Sequence, residues 1–146
     1  TERVECIREI QGFLMELENE IRYMNRPLGQ AFMFLSRGKK DRTSGFAQRV
    51  YELHKKMEIS IGAAWHKSLE EFRYQWPLQR EEWDLLSGIG EVLGKTDRES
   101  QSSFLLLMRE KFAAREKAAE EDRAKKDRLY KNLGILGGLA VVLVLI

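Results

Sequence analysis

A helical protein does chemistry mainly through histidine, cysteine and converging carboxylates, and this chain has few such groups. His54 and His66 are its two histidines. Each falls in a helical stretch, and neither belongs to an HExxH or similar metal-ligand spacing, so both read as surface or rim residues. Cys6 is the single cysteine. It excludes an internal disulfide, and with no His or Asp near it in sequence it reads as a plain thiol. Glu70-Glu71 and Glu81-Glu82 are adjacent pairs, which diverge by ~100° on a helix and cannot converge as acid and base. Trp65, Trp76 and Trp83 lie near helix ends and bends, where packing explains them better than a cofactor box. No glycine-rich phosphate loop is present. The chain is expected to have no catalytic residue, cofactor or metal, and so not to be an enzyme. Its 25 basic and 23 acidic residues nearly cancel, which argues against a nucleic-acid partner.

One stretch stands apart, Ile89-Gly-Glu-Val-Leu-Gly-Lys-Thr-Asp97. Gly90 and Gly94, four apart, would leave a smooth face for a neighbouring helix. Asp97 would suit the start of the next helix through its dipole. The functional alternative is an acidic notch, formed by Glu91 and Asp97, for a partner's basic group or a cation.

The elements that would position these residues are helical. Val4, Ile7, Ile10, Leu14, Leu17, Ile21 and Met24 step by three and four, marking an amphipathic helix that Asn25-Arg-Pro27 ends. Pro27 opens a second helix with Leu28, Ala31, Phe34 and Leu35 on its apolar face. A polar turn over Gly38–Ser44 follows. Phe46, Val50, Leu53 and Met57 space a third helix. Ser60 caps a fourth, which carries Ile61, Trp65, Leu69 and Phe72. After Trp76-Pro77, Leu78, Leu85, Leu86, Ile89 and Leu93 mark a fifth, closed by Gly94 as a left-handed cap. Thr96-Asp-Arg-Glu99 reads as a capping box opening a sixth, packed by Phe104, Leu105, Met108 and Phe112.

From Ala113 to Lys131 the pattern turns to alanine and mixed charge. Such a segment buries little and is held by pairs among Glu116, Lys117, Glu120 and Arg123 along the helix. The expected architecture is all-α: an antiparallel six-helix bundle over residues 1–112, a charged helical stalk over 113–131 and a C-terminal membrane helix over 132–146.

The last residues, Leu133-Gly-Ile-Leu-Gly-Gly-Leu-Ala-Val-Val-Leu-Val-Leu-Ile146, carry no charge. Lys125, Lys126, Arg128 and Lys131 form a basic collar before them. The run has no polar face, so it reads as an anchor rather than a core helix. It reaches only ~21 Å as a helix, short of a ~30 Å hydrocarbon core. Counting from Tyr130 gives roughly 17 residues, the lower edge of a spanning helix. Leu133, Leu136, Leu139, Val142 and Leu145 would face lipid, and the collar would keep the bundle on the cytoplasmic side.

Three segments resemble the stage III sporulation protein AB family. They are Leu17-Glu-Asn-Glu-Ile-Arg-Tyr-Met-Asn-Arg-Pro-Leu-Gly-Gln-Ala31, Ala64-Trp65 with Leu69, and Leu86-Ser-Gly-Ile-Gly-Glu-Val-Leu-Gly-Lys-Thr-Asp-Arg-Glu-Ser-Gln101. The ending Leu133-Gly-Ile-Leu-Gly-Gly-Leu with its apolar run is similar too. The PLxxA and GExxGxxD elements also resemble the F domain of type II secretion and type IV pilus platform proteins, which carry two such domains where this chain has room for one.

The resemblance implies a membrane helix ahead of this domain as well as after it. It implies a place in the channel complex between mother cell and forespore, anchored in the outer forespore membrane with the bundle in the mother-cell cytoplasm. It implies as partners the cognate secretion-type ATPase, stage III sporulation protein AA, and other membrane components of the channel. The contact residues taken from the matched segments are Glu18, Glu20, Tyr23, Arg26, Glu91, Asp97, Arg98 and Gln101. Leu17, Ile21, Leu28 and Ala31 in the same motif read as core. Platform proteins have a hydrophobic residue after the second motif glycine where this chain has Lys95-Thr96, so no metal or acidic-pocket role is carried over. Two rival readings remain. One is a tail-anchored scaffold that self-associates through Gly134, Gly137 and Gly138. The other is a membrane-bound enzyme or metal protein dependent on His54 or His66.

Overall fold

The computed structural model describes residues 1–145; Ile146, the last residue of the expected anchor, lies outside them. Six helices run α1 Glu2–Arg22, α2 Leu28–Ser36, α3 Arg42–Lys56, α4 Ile61–Phe72, α5 Arg80–Val92 and α6 Arg98–Leu145, with no strand among the described residues. They alternate in direction. The pairs Arg3–Asp122, Arg8–Glu116 and Glu18–Arg109 set α1 antiparallel along α6. The α1–α2, α3–α4 and α5–α6 turns therefore share one end of the bundle, the far end. The α2–α3 and α4–α5 loops lie towards the other, the stalk end, where α6 leaves.

The apolar stripe of α1 is buried from Val4 to Ile21, because α1 packs against α2, α3 and α6 at once. That central position also buries Phe13, which lies off the stripe. Met24 and Met57, expected in the core, are about half exposed beyond the helix ends. On α2 the buried ring is Phe32 and not Phe34, which is exposed. In Ala-Phe-Met-Phe-Leu every position is apolar, so periodicity cannot choose between the two rings. The polar turn is shorter than expected. Asp41 ends it by accepting from Thr43 N at 2.9 Å and Ser44 N at 3.3 Å as the cap of α3.

Trp65 is the fully buried centre of the core. Its ring stacks on Phe13 at 6.1 Å and meets Phe32 and Phe46 edge-on at 6.1 and 4.8 Å. Its Nε1–H donates to the Leu86 carbonyl at 2.7 Å, tying α4 to α5.

These two helices cross closely because both carry glycine at the contact. A Cβ on Gly62 would lie 2.7 Å from the Gly90 carbonyl oxygen, and one on Gly90 would lie 2.6 Å from Trp65 Cδ1. Gly90 thus serves the helix approach expected of it, while Gly94, at φ +79°, ends α5 as the expected left-handed cap. Because a backbone carbonyl cannot rotate away, Gly62→Ala is expected to cost about 1–3 kcal/mol in chemical denaturation.

The capping of α6 differs from expectation by one residue. Asp97, not Thr96, is the cap: its carboxylate accepts from Ser100 N at 2.8 Å and from the Ser100 hydroxyl at 2.9 Å. The helix then continues unbroken through the expected stalk boundary. Packing does not stop at Phe112, since Ala119 is buried and Arg115 reaches α5. Glu116 and Glu120 pair across to Arg8 of α1, not along the helix with Lys117. From Glu121 onward α6 is exposed on all sides. The stretch that is long and apolar enough to cross a membrane has none of its residues buried, so it is not a core helix.

Candidate interaction surface

Two of the matched segments, distant in sequence, meet at the far end. Leu28, at the start of α2, lies against Gly94 at the end of α5. The α1–α2 corner and the α5–α6 junction therefore form one continuous face.

The eight residues expected to bind a partner divide into three groups. Glu18 and Gln101 point inward. Glu18 is buried between Arg109 at 3.0 Å and Arg22 at 3.6 Å. Gln101, also buried, accepts from Gly94 N at 3.0 Å and donates to the Thr96 carbonyl at 3.2 Å, which pins the α5–α6 turn. Asp97 is exposed but occupied as the α6 cap. The backbone and hydroxyl hydrogen bonds of Ser100 hold its carboxyl below the usual range. Removing it would fray a helix start before it tested any contact.

Of the remaining five, Tyr23, Glu91 and Arg98 are exposed, while Glu20 and Arg26 are half-buried. Tyr23 is 71% exposed. Arg26 reaches Glu20 at 3.4 Å and lays its guanidinium 3.6 Å from the centre of the Phe34 ring. Glu91, with its side chain 67% exposed, lies 3.0 Å from His66 Nε2 and 3.6 Å from Lys95 Nζ. Arg98 opens α6 with no carboxylate partner among the described residues. Met24, Phe34 and Met57 add apolar area to this end of the bundle. Their exposure was invisible in the sequence, because each fits an apolar helical pattern.

The groups capable of chemistry do not converge. His54 Nδ1 lies 2.6 Å from the Ile59 carbonyl, bracing the α3–α4 turn. Among the described residues no three His, Cys, Asp or Glu side chains come together as metal ligands. Cys6 is fully buried in α1, and burial pushes its thiol up to about 12. It is expected to resist maleimide in the native protein and to react fully after denaturation, as mass spectrometry would show.

The residue that sequence reasoning missed is Glu82. Adjacent to the exposed Glu81, it is fully buried and holds Arg3 of α1 at 3.0 Å and Arg115 of α6 at 2.8 Å. It also accepts from Gln79 N at 3.1 Å in the capping box of α5. Burial alone would push its carboxyl up, but the hydrogen bonds from Arg3, the Gln79 backbone and Arg115 outweigh it and hold the group below the usual range. Its one local signal is the Gln79-x-x-Glu82 spacing.

The class these features define is a small all-helical domain carried on a long helix with an apolar end. The chain belongs to the stage III sporulation protein AB family, whose model it matches over residues 1–146. It is similar to stage III sporulation protein AB of Bacillus subtilis (strain 168), with 32% identity over 145 residues, covering 99% of this chain and 85% of that protein. A solved structure of a stage III sporulation protein AB superimposes with a TM-score of 0.76 at 30% identity, covering 84% of this chain and 96% of the solved one. Membership gives the protein a sporulation-related role.

Proposed function

We propose that the protein is a membrane-anchored adaptor of the channel complex between mother cell and forespore. Its far end docks the secretion-type ATPase, stage III sporulation protein AA. The end of α6 holds it in the outer forespore membrane, with the bundle in the mother-cell cytoplasm and other channel components beside it in the bilayer. The observation that supports this reading is the joining of two matched segments into one exposed face, from which a single unbroken helix runs to the apolar end. A load applied at that face would reach the membrane through one rigid element.

The test is binding of the full chain, reconstituted in nanodiscs, to the purified ATPase with and without ATP. Tyr23→Ala with Glu91→Ala is expected to weaken saturable binding at least about tenfold, as loss of exposed anchor residues does. Absence of binding in every nucleotide state would sink the proposal and leave the scaffold reading. That reading draws on Gly134, Gly137 and Gly138, whose faces are bare. It predicts oligomers that survive both substitutions.

A further inference from the structure

Phe104 to Met108 are apolar on every side of α6, yet the bundle covers only one side, and Leu106 and Leu107 stay 40% and 45% exposed. Closer to the stalk the same outer face carries the exposed Ala113 and Ala114. Glu110, Lys111, Lys117 and Glu121 surround them and have no ion pair among the described residues. On another flank, α4 and α5 leave a groove of about 220 Å³ over Leu69 and Trp83. Glu70 and Arg73 stand on its α4 wall and Asp84 on its α5 wall, all exposed and equally unpaired among the described residues.

The face and the groove match in height. Arg115–Glu82 and Gln101–Gly94 lay α5 along α6, while Trp65–Leu86 and Gly62–Gly90 lay α4 along α5. The groove floor is therefore level with Ala113 and Ala114 of its own chain, and copies anchored by the same apolar segment keep that level. They match in hand as well. α6 turns Glu116 towards α1 and Arg115 towards α5, so α5 lies clockwise of α6 seen from the far end, with α4 beyond it. Lys111 and Lys117 lie ~120° apart, on either side of the outer face. With that face laid upright in a second copy's groove, Lys111 meets the α5 wall near Asp84, and Lys117 meets the α4 wall near Glu70. Glu121 then comes below Arg73. Glu110 comes to His66, whose neighbour Glu91 is already shared with Lys95. The two alanines let the backbones close over Leu69 and Trp83.

We infer that a second copy of this chain docks here, the outer face of α6 of one copy seated in the α4–α5 groove of the next. Face and groove are different surfaces, so the contact is head to tail and not two-fold. Confinement to one plane raises the effective concentration of both surfaces, so a small contact holds. The inference rests on the membrane reading of α6 but not on the ATPase, so the two proposals fail separately. The far end stays clear of the contact, and Gly134, Gly137 and Gly138 take no part in it.

The test uses full chains in phosphatidylcholine vesicles, carrying a donor or an acceptor dye at Lys40→Cys in the exposed α2–α3 loop. The native Cys6 is buried, so labelling is selective. Energy transfer above that of random placement at the same density reports association. Asp84→Lys alone and Lys111→Asp alone are each expected to weaken association at least about fivefold. Both positions are exposed, so neither change touches the core. Mixed with each other, the donor on one variant and the acceptor on the other, they are expected to associate again, because each face then meets a groove of opposite sign. Wild-type chains with only random transfer overturn the inference, as do single variants that associate like wild type or stay apart when mixed. Loss of transfer in Gly137→Leu with Gly138→Leu, with both charge variants unaffected, also overturns it and assigns self-association to the bilayer segment. Failure of the full chain to float with vesicles overturns it together with the membrane reading.

Discussion

Replacing Glu82 by alanine is expected to lower the free energy of unfolding by about 3 kcal/mol, the lower end of what breaking a buried ion pair costs. The carboxylate joins α1, α5 and α6 where the bundle meets the stalk. Without it, two guanidinium groups face each other across a site that excludes water. The loss stays at the low end because the Arg3 and Arg115 side chains keep 14% and 27% of their exposure and can turn outward. Urea denaturation of wild type and variant measures it, and a change below ~1 kcal/mol would mean that the clamp is no more than a surface pair.

The pH dependence has a definite sign. The folded carboxyl lies below its unfolded value near 4.5. Its contribution is therefore complete above that value and is lost as the pH falls through the folded one. Glu82→Ala should flatten the acid limb of the stability curve in that window and leave the slope near neutrality unchanged.

Trp65→Ala is expected to cost more, about 4 kcal/mol or above, against a total of roughly 5–15 kcal/mol for a domain of this kind. The indole is fully buried, touches three other rings and supplies the hydrogen bond to Leu86. Alanine leaves a cavity whose walls come from α1, α2 and α3. Backbone glycines fix the α4–α5 crossing, so that side cannot collapse inward. Trp65→Phe keeps most of the apolar volume and should cost roughly 1–2 kcal/mol. A full-length alanine variant that unfolds with the wild-type midpoint would refute this account of the core.

The all-helical fold was legible because α1, α3, α4 and α5 each carry one clear apolar period, with punctuation at Pro27, Ser60 and Gly94 that the structure uses as expected. The misses share a cause. Phe34 sits in a run without polar residues, so its pattern holds no phase. Glu82 looks like any surface glutamate, because the arginines that bury it lie far away in the chain, on α1 and α6. Apolar periodicity ends the bundle at Phe112 because the packing beyond it is built from ion pairs and one alanine, which look like a solvated face.

The candidate surface was partly legible. The matched segments lie at the two corners that the fold brings together, while the inward turn of Glu18 and Gln101 depends on contacts between helices that no local spacing encodes. The convergence of the two corners is a property of the alternating topology, visible only once all six helices are placed.

An unbroken helix also preserves azimuth. No glycine or proline interrupts the chain from Arg98 to Leu133, so the direction of a side chain near the bilayer is set by the direction of one in the bundle. At ~100° per residue, Gly137 returns to the bearing of Ala119, which is buried against α1. The glycine side of the apolar segment thus faces the space beneath the bundle. A second copy packed in parallel on that side would run its own α6 into the first copy's α1. A helix that ends at the bilayer surface would fit there without collision.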